Sequence, residues 1–331
     1  MKPRIAVVGA GLIGRRHVHY VSLLAALHSI VDPARETRSL AAEFGAKWFA
    51  DLSQMIKQDA PDGIIVATPT PCHIENAMVG VSAGIPVLIE KPIADDIAGA
   101  QGLVDAAKAA GVALLVGHHR RYNPIIRKAK GLIDRGRLGK LISLNAMCWL
   151  YKPDDYFNVD WRRQKGAGPI LTNLIHDVDL MRYLCGEIIE VQAMKSAEAR
   201  GYVVEDTAAI LLKFASGALG TITVSDTIVS PWSWELTAAE NHAYPQTDQT
   251  CYMIGGTKGS LSLPDLKVWY YGAKAGWHEP ILHDEFDCGA DDPLALQIGH
   301  FCDVITGQEK PLVSGAEGLE TLRVIDAIRN A

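Results

Sequence analysis

Apolar residues in the first third of the chain follow two alternating rhythms. Short continuous runs occur at Ile5-Ala6-Val7-Val8, Gly63-Ile64-Ile65-Val66-Ala67, Pro86-Val87-Leu88-Ile89 and Ala113-Leu114-Leu115-Val116. Runs of this length, bounded by turn residues, read as strands buried on both faces. Between them the period lengthens to that of a helix: Leu12, Ile13, Val18, Val21, Leu24 and Ala25 mark one, and the stretches 73–83 and 95–110 mark two more. A further strand ends at Ser29-Ile30-Val31. Strands interleaved with amphipathic helices predict a parallel sheet covered on both faces, with ligands bound beyond the strands' carboxyl ends.

After Asn123-Pro124 the rhythm changes. A helix running to Ile133 and a turn at Gly136–Gly139 lead into longer strand-like runs at 141–151, 188–196 and 207–214. The last turns at Ser216-Gly217 into 219–224, and 252–254 turns through Gly255-Gly256. Successive strands without intervening helices predict an antiparallel sheet. Helical patterns close the chain at 293–305 and 315–330. The stretch 229–249, with Trp232, Trp234, His242, Tyr244 and Pro245, is the least patterned and reads as a lid or an oligomer contact.

Composition narrows the partners. With 331 residues, 48% hydrophobic and 21% charged, the chain can build two domains. A net charge of -6 and a pI near 6.0 argue against nucleic acid and anionic membrane surfaces. The N-terminal apolar run is too short for a signal peptide, and no apolar stretch is long enough for a bilayer, so a cytoplasmic location is expected. The six cysteines are scattered without close pairs and read as buried reduced thiols; the eleven histidines show no metal-ligand spacing, so no catalytic metal is expected.

The first strand runs directly into Gly9, Gly11 and Gly14, the fingerprint of a dinucleotide-binding (Rossmann) turn. Gly9 permits the tight turn, Gly11 lets a pyrophosphate approach the backbone, and Gly14 lets the helix pack on the strand. The helix N-terminus then offers amides and a partial positive charge to the phosphates. Asp32, 18 residues after Gly14, lies where a carboxylate holds ribose hydroxyls; it also reads as a helix N-cap before Pro33, and both can hold at once. A carboxylate there repels a 2'-phosphate, so NAD is expected over NADP, with Arg35 and Arg38 keeping NADP open.

Two groups could carry chemistry. Lys91, in Glu90-Lys91-Pro92, follows a buried strand and could stabilise a developing alkoxide, or it is a surface lysine paired with Glu90. In the segment from Gly166 to Asp179, a helix would put Leu171, Leu174, Ile175 and Val178 on one side and Thr172, His176, Asp179 and Tyr183 on the other. His176, oriented by Asp179, is a proton acceptor by type, or this is a solvated helix face or a satisfied buried histidine.

These motifs stand in a fixed order: the glycine fingerprint, Ala67-Thr68-Pro69 with His73, Glu90-Lys91-Pro92, Arg121-Tyr122-Asn123-Pro124, Trp161-Arg162, the glycine-led His176 segment, and Pro311-Leu312-Val313-Ser314-Gly315. In that order the chain resembles the glucose-fructose oxidoreductase/inositol dehydrogenase/rhizopine-catabolism (Gfo/Idh/MocA) oxidoreductases along nearly its whole length. The resemblance implies an α/β Rossmann domain over 1–123, then an α+β substrate and oligomerisation domain over 124–331 with a large, mostly antiparallel open sheet. The C-terminal helix could pack back on the first domain. It implies NAD(P)-dependent oxidation of a secondary hydroxyl on a sugar, inositol or related polyol, by a homodimer or homotetramer.

By position, Lys91 is then the catalytic lysine and His176 the catalytic histidine. Cofactor contacts fall to Gly9, Gly11, Leu12, Ile13, Gly14, Asp32, Thr68, Pro69, His73, Glu90 and Lys91. A substrate wall of Arg121, Tyr122, Asn123, Tyr156, Trp161, Arg162, Thr172 and Asn173 joins Lys91 and His176, with core packing the other reading of Trp161. One departure stands out: inositol dehydrogenases of the family usually carry aspartate four residues before this histidine, where this chain has Thr172. A threonine cannot relay a proton as an anion. Asn173, Asp177 or Asp179 takes up part of that role, or His176 works with Lys91 alone. Arg162, Arg163 and Lys165 could instead bind a carboxylate, pointing to a sugar acid. An NAD-dependent glycosidase and a non-catalytic NAD-binding sensor are the other readings.

Overall fold

A computed structural model of the protein describes residues 2–331. The chain forms two compact units, one from residues up to Tyr122 together with Asp291–Arg323, the other from Asn123–Ala290 with Val324–Ala331.

The first unit alternates strand and helix: β1 (Arg4–Val8), α1 (Leu12–Leu24), β2 (Ala26–Val31), α2 (Arg38–Glu43), β3 (Lys47–Phe49), α3 (Leu52–Gln58), β4 (Gly63–Val66), α4 (His73–Ser82), β5 (Val87–Ile89), α5 (Ile97–Ala110) and β6 (Leu114–Val116). The strands form one parallel sheet in the order β3-β2-β1-β4-β5-β6. The order reverses between β1 and β4, so the crevice beyond their carboxyl ends is where such a sheet takes its ligand. Every residue of β4, β5 and β6 is buried, as a sheet clad on both faces requires. The segments that become α2 and β3 are too short to show a clear period. Helix α5 starts at Asp96, whose carboxylate accepts from the Gly99 amide, a cap of about 1 kcal/mol.

Two later helices finish this unit: α9 (Pro293–Ile305) and α10 (Gly315–Asn330), the latter up to Arg323. Ile298, Phe301 and Val304 of α9 join the core formed by Ile5, Val7, Ile65 and Leu88. Val313, Leu319 and Leu322 join the core under Val66, Ile89 and Val116 on the other face.

The second unit begins with α6 (Pro124–Asp134) and β7 (Leu141–Trp149). It continues through α7 (Ile175–Cys185), β8 (Ile188–Ser196), β9 (Thr207–Phe214), β10 (Leu219–Ser225), α8 (Trp234–Thr237), β11 (Tyr252–Gly256), β12 (Ser260–Leu263), β13 (Lys267–Tyr271) and β14 (Ile281–Glu285). The eight strands form a sheet in the order β14-β13-β12-β11-β7-β10-β9-β8. All neighbours are antiparallel except β7 and β10, which the chain joins only after building α7, β8 and β9. Along one register row, Ile210, Ile222, Ala146, Tyr252 and Leu263 are buried against α6 and α7. The adjacent row, Leu211, Thr221, Asn145 and Met253, points the other way and is exposed.

One expectation is corrected. Cys72 and Cys288 are exposed, so only Cys148, Cys185 and Cys251 behave as fully buried thiols. Within the unpatterned stretch 229–249, Trp234 is fully buried, stacks on Tyr252 and donates from its indole nitrogen to Glu240 at 2.9 Å. No helix among the described residues is long and apolar enough to cross a membrane.

Candidate active site

On the first unit the glycine turn has the predicted mechanics. Gly9 adopts φ +92°, and a Cβ there would lie 2.6 Å from the Ala67 carbonyl oxygen. A Cβ on Gly14 would collide with the Gly9 carbonyl, whereas one on Gly11 would meet nothing within 4 Å. The outer face of the turn is therefore open while its inner face is filled. No side chain caps the first turn of α1, and Leu12 is 92% exposed. At the end of β2, Asp32 Oδ2 accepts from the Ala10 amide and Oδ1 from the Ala34 amide, each at 2.8 Å. The carboxylate thus ties the glycine turn to its own Asx turn, and each oxygen keeps a lone pair for a hydroxyl donor. Arg38 is occupied by Trp48, its guanidinium 4.2 Å from the ring centroid.

Beyond β4, Thr68 Oγ1 is buried without a hydrogen-bond partner. His73 ties the loops after β4 and β5 together: its Nε2 lies 2.9 Å from the Thr68 carbonyl and its Nδ1 2.8 Å from that of Pro92. Burial lowers the His73 pKa, outweighing the opposite pull of these carbonyls and of Glu90 and Asp95. Beyond β5, burial would raise the Glu90 pKa, but the hydrogen bond and charge of His17, with His119 and Lys91, hold it down at about 2. His17 Nε2 donates to Glu90 Oε1 at 2.7 Å, and Glu90 Oε2 accepts from the Lys91 amide at 3.2 Å. Lys91 therefore follows an ionised, buried carboxylate that fixes its backbone. An open amide-lined turn, a carboxylate at the end of β2 and the orphaned Thr68 hydroxyl together fit a dinucleotide.

Arg121, Tyr122 and Asn123 follow β6, and their visible contacts are structural. Arg121 Nη2 pairs with Glu317 on α10 at 2.9 Å, and Tyr122 lies in the core, 5.4 Å from the His300 ring. Asn123, opening the second unit, caps α6 through the Ile125 amide and donates to Glu240 at 2.8 Å.

In the second unit, the His176 segment starts as a π turn over Ile170–Leu174 before α7 begins. A side chain at Gly168 would collide with the Glu205 carboxyl, whose Oε1 accepts from the Ile170 amide at 3.3 Å. That bond satisfies an end-of-helix donor and lets Glu205 set the segment's start. Single π turns recur at functional sites because the extra residue re-aims its neighbours. The polar side of this helix is not solvated: His176 is 8% exposed, and Asp177, Asp179 and Arg182 are buried as well. Asp177 accepts from the Tyr252 hydroxyl, and Arg182 makes a bidentate pair with Glu187.

Thr172 sits one turn before His176. Its hydroxyl lies 2.9 Å from both the Gly168 carbonyl and Asn173 Oδ1, and accepts from Lys152 Nζ at 3.2 Å. Lys152, just past β7, is a residue the sequence reading passed over, as is His17. The rule of inspecting strand ends would have found Lys152. Tyr156 lies under two cations, with Lys152 Nζ 5.1 Å and the Arg162 guanidinium 4.1 Å from its ring centroid. Trp161 is 55% exposed, which removes the core-packing reading. Arg163 pairs with Asp160, and Lys165 belongs to a separate hollow of about 430 Å³ with Lys195, Glu205 and Arg329. Arg162, Arg163 and Lys165 therefore do not converge on one group.

A glycine-turn nucleotide cradle on a doubly wound sheet, in a chain with an open-sheet α+β unit, defines an NAD-binding oxidoreductase. Residues 3–118 match the oxidoreductase family with an NAD-binding Rossmann fold, and residues 126–262 match the GFO/IDH/MocA C-terminal domain. The chain belongs to the Gfo/Idh/MocA family of NAD(P)-dependent oxidoreductases acting on CH-OH groups. It is 26% identical to scyllo-inositol 2-dehydrogenase (NAD(+)) of Bacillus subtilis, over 99% of this chain and 93% of that protein. It is 30% identical to myo-inositol 2-dehydrogenase of Thermotoga maritima, over 66% of this chain and 67% of that protein. Among solved structures it is similar to the WlbA dehydrogenase of Bordetella pertussis in complex with NADH and UDP-GlcNAcA. That match has a TM-score of 0.79 and 27% identity, and covers 100% of this chain and 96% of that one.

Proposed function

We propose that the protein oxidises a secondary hydroxyl of a sugar, cyclitol or related polyol, with His176 and Lys91 handling the hydroxyl proton. When NAD+ is bound it supplies the hydride acceptor. An imidazole nitrogen of His176 takes the O-H proton as the carbinol C-H bond breaks and the carbonyl forms. Lys91 Nζ donates a hydrogen bond to the same oxygen and stabilises its developing negative charge. Tyr156, Trp161, Arg162, Thr172 and Asn173 bind and orient the substrate, while Arg121, Tyr122 and Asn123 brace the segment that leads to α6.

What supports this reading is that the chain, matched in both halves to the family, carries a lysine two residues past β5 and a histidine on a buried helix opened by a π turn. The test is absorbance of reduced nicotinamide when inositols, aldoses, anhydrosugars and sugar acids are offered with NAD+ and with NADP+. Lys91→Ala and His176→Ala are expected to lower kcat by roughly 10²- to 10⁴-fold, with NAD+ affinity retained. Normal turnover by either folded variant rejects the assignment. NAD+ binding with no net reduction across the panel favours the glycosidase or the sensor.

We further propose that the exposed row through Leu211 and Met253 packs against a second copy of the chain. Open sheet faces carrying large apolar side chains are ordinarily covered.

A further inference from the structure

The spot one turn before His176, where the resemblance leads one to expect a carboxylate, is occupied here by positive charge. Thr172 replaces the anion, and Lys152 donates to its hydroxyl at 3.2 Å. The side chain of Lys152 is only 8% exposed, so its ammonium is almost wholly removed from water. A buried ammonium is costly unless a close anion compensates it. The nearest carboxylate compensates it poorly. Asp226 Oδ1 belongs to Arg200, whose Nε donates to it at 2.9 Å, and Oδ2 stands 3.6 Å from Lys152 Nζ. A well-made charge-assisted bond is about 2.8 Å. The Lys152 pKa is lowered chiefly by its burial, against the pull of Asp226.

A second cation faces the same aromatic ring. Arg162 lies over Tyr156 and donates from Nη1 to the Tyr156 carbonyl at 2.8 Å, while its Nε is buried without a hydrogen-bond partner. Arg200 is taken up by Asp226 and by Asp154 at 3.4 Å, and its amide by Asp206, so the cations left with donors to spare are Lys152 beside Thr172 and Arg162 over Tyr156.

We infer that the substrate is a sugar or polyol bearing a carboxylate, recognised by Lys152 and Arg162 at Tyr156 and Thr172. This rests on the dehydrogenase reading above and narrows it. A carboxylate would complete the coordination of Lys152 and fill the donors of Arg162. A neutral cyclitol would leave both undersatisfied in a poorly hydrated site.

The test is isothermal titration of the protein saturated with NADH, using D-glucuronate, D-galacturonate and D-gluconate against their neutral counterparts D-glucose, D-galactose and D-glucitol. At least one acid is expected to bind ten times or more tightly than its counterpart. Lys152→Met, checked for folding by thermal melting, is expected to erase that preference. Because Lys152→Met could fail to fold beside Asp226, Thr172→Asp serves as a second variant: it sets a carboxylate against Lys152 and is expected to weaken the acids selectively. Equal binding of acids and neutral sugars, no binding by any acid, or a preference that survives in the folded variants overturns the inference. Turnover with NAD+ separates the two levels of the argument. Oxidation of neutral sugars but not acids refutes the carboxylate site and leaves the dehydrogenase standing. Tight acid binding without oxidation of any sugar keeps the carboxylate site and refutes the dehydrogenase.

Discussion

Asp32 shows how one carboxylate can hold a turn and still keep acceptor capacity for a ligand. Its oxygens already accept the amides of Ala10 and Ala34, which aims the remaining lone pairs outward from the end of β2. Hydrogen bonds to a charged group are worth about 1.5–3 kcal/mol, so Asp32→Ala is expected to raise the KM for NAD+ by roughly 10- to 100-fold. It should also improve NADP+ use, by removing the repulsion of a 2'-phosphate. Steady-state kinetics with both cofactors decides this; an unchanged preference would leave Asp32 as a turn residue. The glycines and Asp32 were legible because each acts through backbone geometry that spacing encodes. His17 and Lys152 were not, because their meaning depends on partners 73 and 20 residues away, Glu90 and Thr172. A buried ion pair leaves no periodic trace.

Elements were readable where pattern and packing agree. The stretches 188–196, 207–214, 293–305 and 315–330 fall where periodicity predicts them. The π turn over Ile170–Leu174 escaped: its first amide is held by the distant Glu205, a partner that local periodicity does not show. The same limit applies to Pro293–Ile305, whose apolar face says that it packs but not on which sheet. The loops after β4 and β5 are joined through His73, and this carries a pH signature. Its folded pKa is lowered by burial, so below the unfolded value of about 6.5 the unfolded chain binds the extra proton first. Stability from this group is therefore full above about pH 6.5 and declines as pH falls below it. The melting temperature is expected to drop between pH 7 and 5.5, and His73→Gln, less stable at pH 7, should show a shallower drop. Parallel slopes in the two proteins would exclude His73 as the source.

At the scale of the molecule, the outer row of the large sheet sets the expected assembly. Leu211 and Met253 are exposed on a face whose opposite side is a filled core. Light scattering on a sizing column is expected to give a dimer or tetramer, and Leu211→Asp to shift it towards monomer without lowering the melting temperature of the isolated subunit. A wild-type monomer at micromolar concentration would refute the interface. The strand 207–214 was legible in sequence, but its exposed side shows only in the structure, where burial alternates along it.

The discontinuity of the first unit bears on how the protein comes into being. Its sheet strands are all made before residue 117, yet Ile298, Phe301 and Val304 cover one face, and Val313, Leu319 and Leu322 the other. On a ribosome Asn123–Ala290 of the second unit emerge while those faces of the nucleotide-binding sheet are still bare. Helix α10 then serves both cores, up to Arg323 in the first unit and from Val324 in the second, so neither core is filled before that one helix has been made.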